Sequence, residues 1–285
     1  MPYTADISRA NPACFLFLID QSGSMTQALA AQPGLRKMDQ AADAINRILD
    51  TISQRCSQGM DIRDYFHIGV LGYSTNATGG PIVTSILPGT TPDQPFLPIS
   101  QVVDVAEVEE RQVRESDGAG GLVEVARRFP IWLRPHAEYG TPMCQALEVA
   151  AQAVGEWAGQ HPDSFPPIVI NVSDGAASDG NPEGPAQGIA NLQTSDGNAL
   201  MFNIHLSDSG GMPTLYPDSE ERLPPDEYAL TMFRMSSPLP ESSRSQAASL
   251  DLSVNENSRG YVFNADGTAL VQFLDIGTRA ASNLQ

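Results

Sequence analysis

Five small oxygen-bearing side chains stand out by type and spacing. Asp20, Ser22 and Ser24 form an Asp-x-Ser-x-Ser run, Thr141 lies within Gly140-Thr141-Pro142, and Asp174 lies within Ser173-Asp174-Gly175. Carboxylates and hydroxyls are hard donors, the kind Mg²⁺ takes: six oxygens at roughly 2.0–2.1 Å, several from water, and only one or two from protein carboxylates. Because Ser22, Ser24 and Thr141 bring no charge, a cation held with Asp20 and Asp174 stays electrophilic enough to recruit an outside carboxylate at an open position. Mn²⁺ and Ca²⁺ accept the same donors, so the donor set does not choose among the three. Asp-x-Ser-x-Ser by itself reads equally well as a Ser-capped loop opening a helix. The Thr and Asp elements favour the cation.

These residues need elements that bring them together. Cys14 to Ile19 is a continuous apolar run without alternation, which suits a strand covered on both faces of a parallel sheet, and it ends at Asp20. From Arg36 to Cys56, Met38, Ala41, Ala42, Ile45, Ile48, Leu49 and Ile52 mark one apolar helical face. Tyr65 to Tyr73 reads as the next strand, and Pro81 to Leu87 as a third whose leading proline suggests a sheet edge. A helix over Thr141 to Gly159, a strand over Pro167 to Val172, a helix over Glu183 to Thr194 and a strand over Ala199 to Leu206 continue the alternation. Helices over Asp226 to Met235 and Glu241 to Leu250, a strand over Gly260 to Asn264 and a terminal helix over Thr268 to Ala281 complete it. The pattern predicts one doubly wound α/β domain over residues 1–285, with a mostly parallel sheet and two insertions, 88–138 before the Thr-bearing loop and 207–250 before the last strand. Loops beyond the carboxyl ends of parallel strands share one crevice, so the five donors can converge although far apart in the chain.

In this order and at these spacings, Asp20-x-Ser22-x-Ser24, Gly140-Thr141 and Ser173-Asp174-Gly175 resemble the metal-ion-dependent adhesion site of the von Willebrand factor type A (VWA) and integrin I-domain family. The resemblance runs from about Pro12 to Leu206, with all five positions filled, and it implies a Rossmann-like fold. It also implies that Ser22 and Ser24 bind the metal directly, that Thr141 binds directly or through water, and that Asp20 and Asp174 supply charge and hold waters. A Glu or Asp of a protein partner would complete the coordination. Within the family the chain resembles short intracellular bacterial members that accompany kinase, phosphatase or ATPase partners in stress-response and conflict-type systems. The expectation is therefore a non-enzymatic, Mg²⁺-dependent interaction module. The alternative is a metal-assisted hydrolase or phosphatase using the same ion as Lewis acid, for which no nucleophile or general base is evident.

Composition narrows the partners. The 285 residues hold 34 acidic against 16 basic side chains, a formal net charge of −18, with Lys37 the sole lysine. That balance argues against a nucleic-acid backbone and an anionic membrane surface, and favours divalent cations and basic or neutral partners. Cys14, Cys56 and Cys144 have neither disulfide-framework nor zinc spacing. With no cationic start, no apolar leader and no long apolar run, the chain reads as cytoplasmic.

Other motifs fail on chemistry. Asp179 to Gly184 imitates the start of an EF-hand loop, but the twelfth position is Ala190 rather than a bidentate Glu, so it reads as a turn into a helix. Gly118 to Gly121 lacks phosphate-binding spacing, and no P-loop is present. A haloacid-dehalogenase reading of Asp20 wants a second acid where Ser22 stands, and a subtilisin-like reading wants a serine where Pro142 stands. His67, His136, His161 and His205 are scattered and read as packing or surface residues. Cys144, at a helix start where a thiol pKa can fall, reads as a packing residue. Glu107, Glu109 and Glu110 read as a solvated face.

Overall fold

The computed structural model describes residues 3–29, 32–59, 61–116, 121–207 and 212–264. The strand read from the first apolar run is β1, Ala13–Asp20, and every one of its residues is buried. A 20-residue helix follows, α1, Lys37–Cys56. Then come β2, Phe66–Thr75, and β3, Pro81–Ser85, a short helix α2, Ile99–Asp104, and a long hairpin of β4, Glu107–Ser116, and β5, Leu122–Ile131. The second half holds α3, Met143–Gln160, β6, Ile168–Ser173, α4, Glu183–Ala190, and β7, Leu200–His205. It closes with β8, Thr214–Leu215, α5, Glu227–Met235, α6, Glu241–Ser249, and β9, Tyr261–Phe263. The terminal helix expected over Thr268 to Ala281 lies outside the described residues.

The main sheet runs in the order β8-β9-β7-β6-β1-β2-β3, with the two-residue strand Leu97–Pro98 also pairing with β2. The five central strands are parallel: β1 pairs with β2 and β6, and β7 pairs with β6 and β9. β3 and β8 are the antiparallel ends, and β3 begins with the proline that marked it as an edge.

Successive side chains of a strand face opposite ways, and β1 feeds two cores. Phe15, Phe17 and Ile19 share one with Ile45, Ile48, Leu49 and Ile52 of α1. Leu16 and Leu18 share the other with Met143, Leu147, Ala150 and Val154 of α3. A strand buried on both faces has no polar position to offer, hence the unbroken run CFLFLI. The architecture is a doubly wound α/β sheet with helices on both faces.

The hairpin β4–β5 forms a two-stranded sheet of its own. It is tied down where it returns to the body. Asn46, buried on α1, accepts hydrogen bonds from the backbone N–H groups of Trp132 and Leu133, both at 2.9 Å, and donates to the Leu133 carbonyl at 2.9 Å. The Trp132 indole donates to the Val102 carbonyl at 2.6 Å. This clamp delivers the chain to the Thr141 loop. Glu107 and Glu109, read as a solvated face, are exposed or half-exposed and pair with Arg134 at 2.5 and 2.9 Å.

Candidate metal centre

The register of the parallel strands sets the site. Asp20 pairs with Tyr73 of β2, Ile19 with Val172 of β6, and Ser173 with His205 of β7, so Asp20 and Ser173 end neighbouring strands at one rim. Their loops are then joined directly.

The first loop turns back at Asp20. The Ser22 N–H donates to Asp20 Oδ1 at 2.8 Å, and a 3₁₀ turn, Gly23–Thr26, follows, anchored by the fully buried Met25. Ser22 stands at the N-cap of this turn, yet its side chain makes no capping bond. Its hydroxyl lies instead 3.0 Å from that of Ser24. The Ser-cap reading of Asp-x-Ser-x-Ser thus fails, and the two hydroxyls face each other.

The second loop is laid against the first. The Gly23 N–H donates to the Tyr139 carbonyl at 2.7 Å, and the Glu138 N–H to the Gln21 carbonyl at 2.6 Å. A Cβ on Gly23 would stand 3.2 Å from that Tyr139 carbonyl oxygen, which accounts for the glycine. Tyr139 itself takes a left-handed backbone, φ 59°. The Gly140 N–H donates to the Thr75 hydroxyl at 2.9 Å, and Thr141, almost fully buried, receives a further brace from the third loop. Its N–H donates to the Ser178 hydroxyl at 3.1 Å, and its carbonyl accepts from the Ser178 N–H at 2.9 Å.

The third loop closes the ring. The Ser173 hydroxyl donates to Asp20 Oδ2 at 2.6 Å and accepts from the Gly175 N–H at 3.0 Å. Gly175 has φ +90°, and a Cβ there would lie 2.9 Å from Cβ of Tyr228 on α5, so a side chain is excluded twice over. Asp174 points one oxygen, Oδ2, at the Lys37 ammonium, 3.3 Å away. Its other oxygen, Oδ1, is buried with no hydrogen-bond partner. Lys37 also donates to Gln27 Oε1 at 3.2 Å.

Burial, and then the Asp174 carboxylate, push the Asp20 carboxyl up to about 6, against hydrogen bonds from Ser173 and Ser22 that pull it down. The negative charge gathered here reaches Tyr73, whose phenol is driven well above its usual value by burial and then by Asp20. Such a site is short of positive charge. A buried carboxylate oxygen without a donor costs of the order of 1–3 kcal/mol, and a hard cation with its waters would satisfy it. Among the described residues no three His, Cys, Asp or Glu side chains gather into a ligand cluster. The candidate donors are instead two carboxylates and three hydroxyls, a set that fits a hard cation with waters, Mg²⁺, Mn²⁺ or Ca²⁺, rather than zinc.

Several residues that shape the site were given no role in it from the sequence: Ser173, Thr75, Tyr139, Ser178 and Asp179. Ser173 adjoins Asp174, and that adjacency was the available signal. Asp179, part of the discarded EF-hand imitation, caps α3 by accepting from the N–H groups of Cys144 and Gln145 at 3.1 and 3.0 Å. Its charge also answers the question of Cys144. The helix start does not lower this thiol; burial first, and then Asp179, raise it to about 11. The strand histidines have partners: His67 Nδ1 accepts from the Trp157 indole at 2.9 Å, and His205 Nδ1 lies 3.1 Å from the Tyr261 hydroxyl.

Fold and site together define an α/β domain with an oxygen-rich rim at the carboxyl ends of its parallel strands. No protein-family model matches the chain, and no curated protein does. Similar solved structures include the vWF domain of the type V pili tip protein Mfa5 from Porphyromonas gingivalis, 15% identical over 59% of this chain and 39% of that one, with a TM-score of 0.32. The PilB minor pilin from Streptococcus sanguinis is 11% identical over 96% of this chain and 62% of that one, with a TM-score of 0.46. The chain spans less than two thirds of the length of either. No helix among the described residues is long and apolar enough to cross a membrane.

Proposed function

We propose that this chain is a VWA-type interaction module that captures an Asp or Glu side chain of a protein partner through a bound divalent cation, Mg²⁺ first among the candidates. The observation that carries the reading is the brace of three loops, with the Gln21 and Gly23 backbone tied to Glu138 and Tyr139, Thr141 to Ser178, and Asp20 to Ser173, beside an Asp174 oxygen buried without a donor. Asp20 and Asp174 would supply the charge, and Ser22, Ser24 and Thr141 the neutral oxygens. Mg²⁺ bound through two protein carboxylates would keep several waters, and an outside carboxylate could replace one of them. The setting we propose is intracellular, with a kinase, phosphatase or ATPase of a bacterial stress-response or conflict-type system as partner. The three thiols, Cys14, Cys56 and Cys144, are unpaired, in keeping with a reducing compartment.

The test is affinity capture of partners by the wild-type chain and by Asp174→Ala, each in Mg²⁺ and in EDTA. The reading expects a protein retained by wild type in Mg²⁺ and lost in every other condition. Retention by Asp174→Ala in EDTA at wild-type strength would refute it.

A further inference from the structure

The sole lysine of the chain stands where neither solvent nor helix chemistry favours a cation. Lys37 is 1% exposed, although lysine is almost never fully buried unless paired. It is also the first residue of α1, at the end of the helix that carries positive partial charge and disfavours cations. The helix start is already furnished by Arg36 and Asp39, whose side chains join at 2.7 and 2.8 Å. The Lys37 ammonium donates to Gln27 Oε1 at 3.2 Å and, on a loop 137 residues away, meets the carboxylate of Asp174 at Oδ2, 3.3 Å distant. A residue set against its local preferences answers to a tertiary or functional demand.

From this placement, and resting on the metal-site reading above, we propose that Lys37 is the resident counter-cation of the site, holding Asp174 when no metal is bound and competing with a divalent cation for that carboxylate. The charges give the reason for such a device. Asp20 and Asp174 bring two negative charges and Lys37 one positive, so the site alone carries minus one. A divalent ion takes it to plus one, a state that one partner carboxylate neutralises. Without Lys37 the loaded site would already be neutral and would hold its ion tightly with no partner present. Lys37 therefore makes the metal loosely held by itself and leaves a unit of positive charge for the partner's acid to meet.

The test uses the full chain and Mg²⁺ alone, followed by titration calorimetry and by the rise in melting temperature over EDTA, for wild type, Lys37→Gln, Lys37→Arg and Asp174→Ala. Lys37→Gln keeps a hydrogen-bonding amide and removes the charge; it is expected to bind Mg²⁺ at least ten times more tightly than wild type, with a larger Mg²⁺-dependent rise in melting temperature. Lys37→Arg keeps the charge and should match wild type within about threefold. Equal affinity of wild type and Lys37→Gln, with Asp174→Ala unable to bind, would overturn the role of Lys37 and leave the metal site standing. Failure of every protein to bind Mg²⁺ or Mn²⁺ would overturn the site and this inference with it.

Discussion

Replacing Asp20 by asparagine should make the metal-free protein more stable while removing its response to metal. Asp20 is fully buried, and its carboxyl is held at about 6 against 3.8 in an exposed peptide, with burial the larger cause and the Asp174 charge the second. A difference of about 2 in pKa corresponds to about 3 kcal/mol between the charged and neutral forms. For a carboxyl raised on folding the anion is the disfavoured form, so the penalty is complete above about pH 6 and gone below 3.8. The Asp20→Asn side chain would keep the local contacts. Its amide oxygen can accept from the Ser22 N–H and its amide nitrogen can donate to the Ser173 hydroxyl oxygen, in place of the bonds at 2.8 and 2.6 Å.

The assay is thermal melting in EDTA at pH 7.5 and at pH 4, then in saturating Mg²⁺ at pH 7.5. For a chain of this size about 3 kcal/mol translates into roughly 5–10 °C. Asp20→Asn should therefore melt several degrees above wild type in EDTA at pH 7.5, and level with it at pH 4. In Mg²⁺ the order should close or reverse, because only wild type gains from the ion. Functional sites commonly carry such a cost in stability. A variant that melts below wild type in EDTA at pH 7.5, or a gap that does not depend on pH, would refute the reasoning.

Two further outcomes follow from other buried polar groups. Asn46→Ala removes three hydrogen bonds at once and leaves the Trp132 and Leu133 backbone groups unsatisfied; a loss of about 3 kcal/mol in denaturant unfolding is expected, with Asn46→Asp, which keeps both acceptor bonds, losing less. Equal stability of Asn46→Ala and wild type would show that the hairpin is not clamped there. His205 is buried, and its imidazole is lowered to about 4 from 6.5, burial being the leading cause. A base depressed on folding contributes stability that is fully present above 6.5 and lost as pH falls toward 4, up to about 3 kcal/mol. Wild type should thus lose stability relative to His205→Gln between pH 7 and pH 4.5 in urea melts, and parallel pH profiles would contradict the assignment.

How much of this was legible in the sequence depended on whether the information was local. The apolar run before Asp20 announced a strand covered on both faces because CFLFLI is short, unbroken by a polar position and stopped abruptly by polar loop residues, and α1 showed through its three- and four-residue apolar steps. Most element ends were off by a residue or two, since caps and frayed turns are weakly encoded; the helix read over Glu183 to Thr194 overran by more, stopping at Ala190 ahead of a small hairpin of Gln193–Thr194 and Gly197–Asn198. The hairpin Glu107–Ser116 with Leu122–Ile131 was read only as part of the insertion 88–138, without its strands being placed, because a ribbon outside the main sheet leaves no clean alternation.

The site divided the same way. The candidate oxygen donors stood out because three separate segments, two of them directly after strands, each offer small side chains with a carboxylate or hydroxyl in the same chain order as the loops. Lys37 was invisible as part of the site. On a helical wheel it is one more polar residue at the start of an amphipathic segment, and its partner Asp174 lies 137 positions away. Composition nonetheless held a clue: in a chain with a net charge of −18, the one lysine is withdrawn from the surface entirely. A cation spent on solubility or on steering would be exposed, and this one is buried against the carboxylate beside the proposed metal. On the proposed reading the loops would set where an ion is held and the lysine when, for a metal that had to displace or share Asp174 with a tethered ammonium would bind best when a partner's acid arrived to balance the charge.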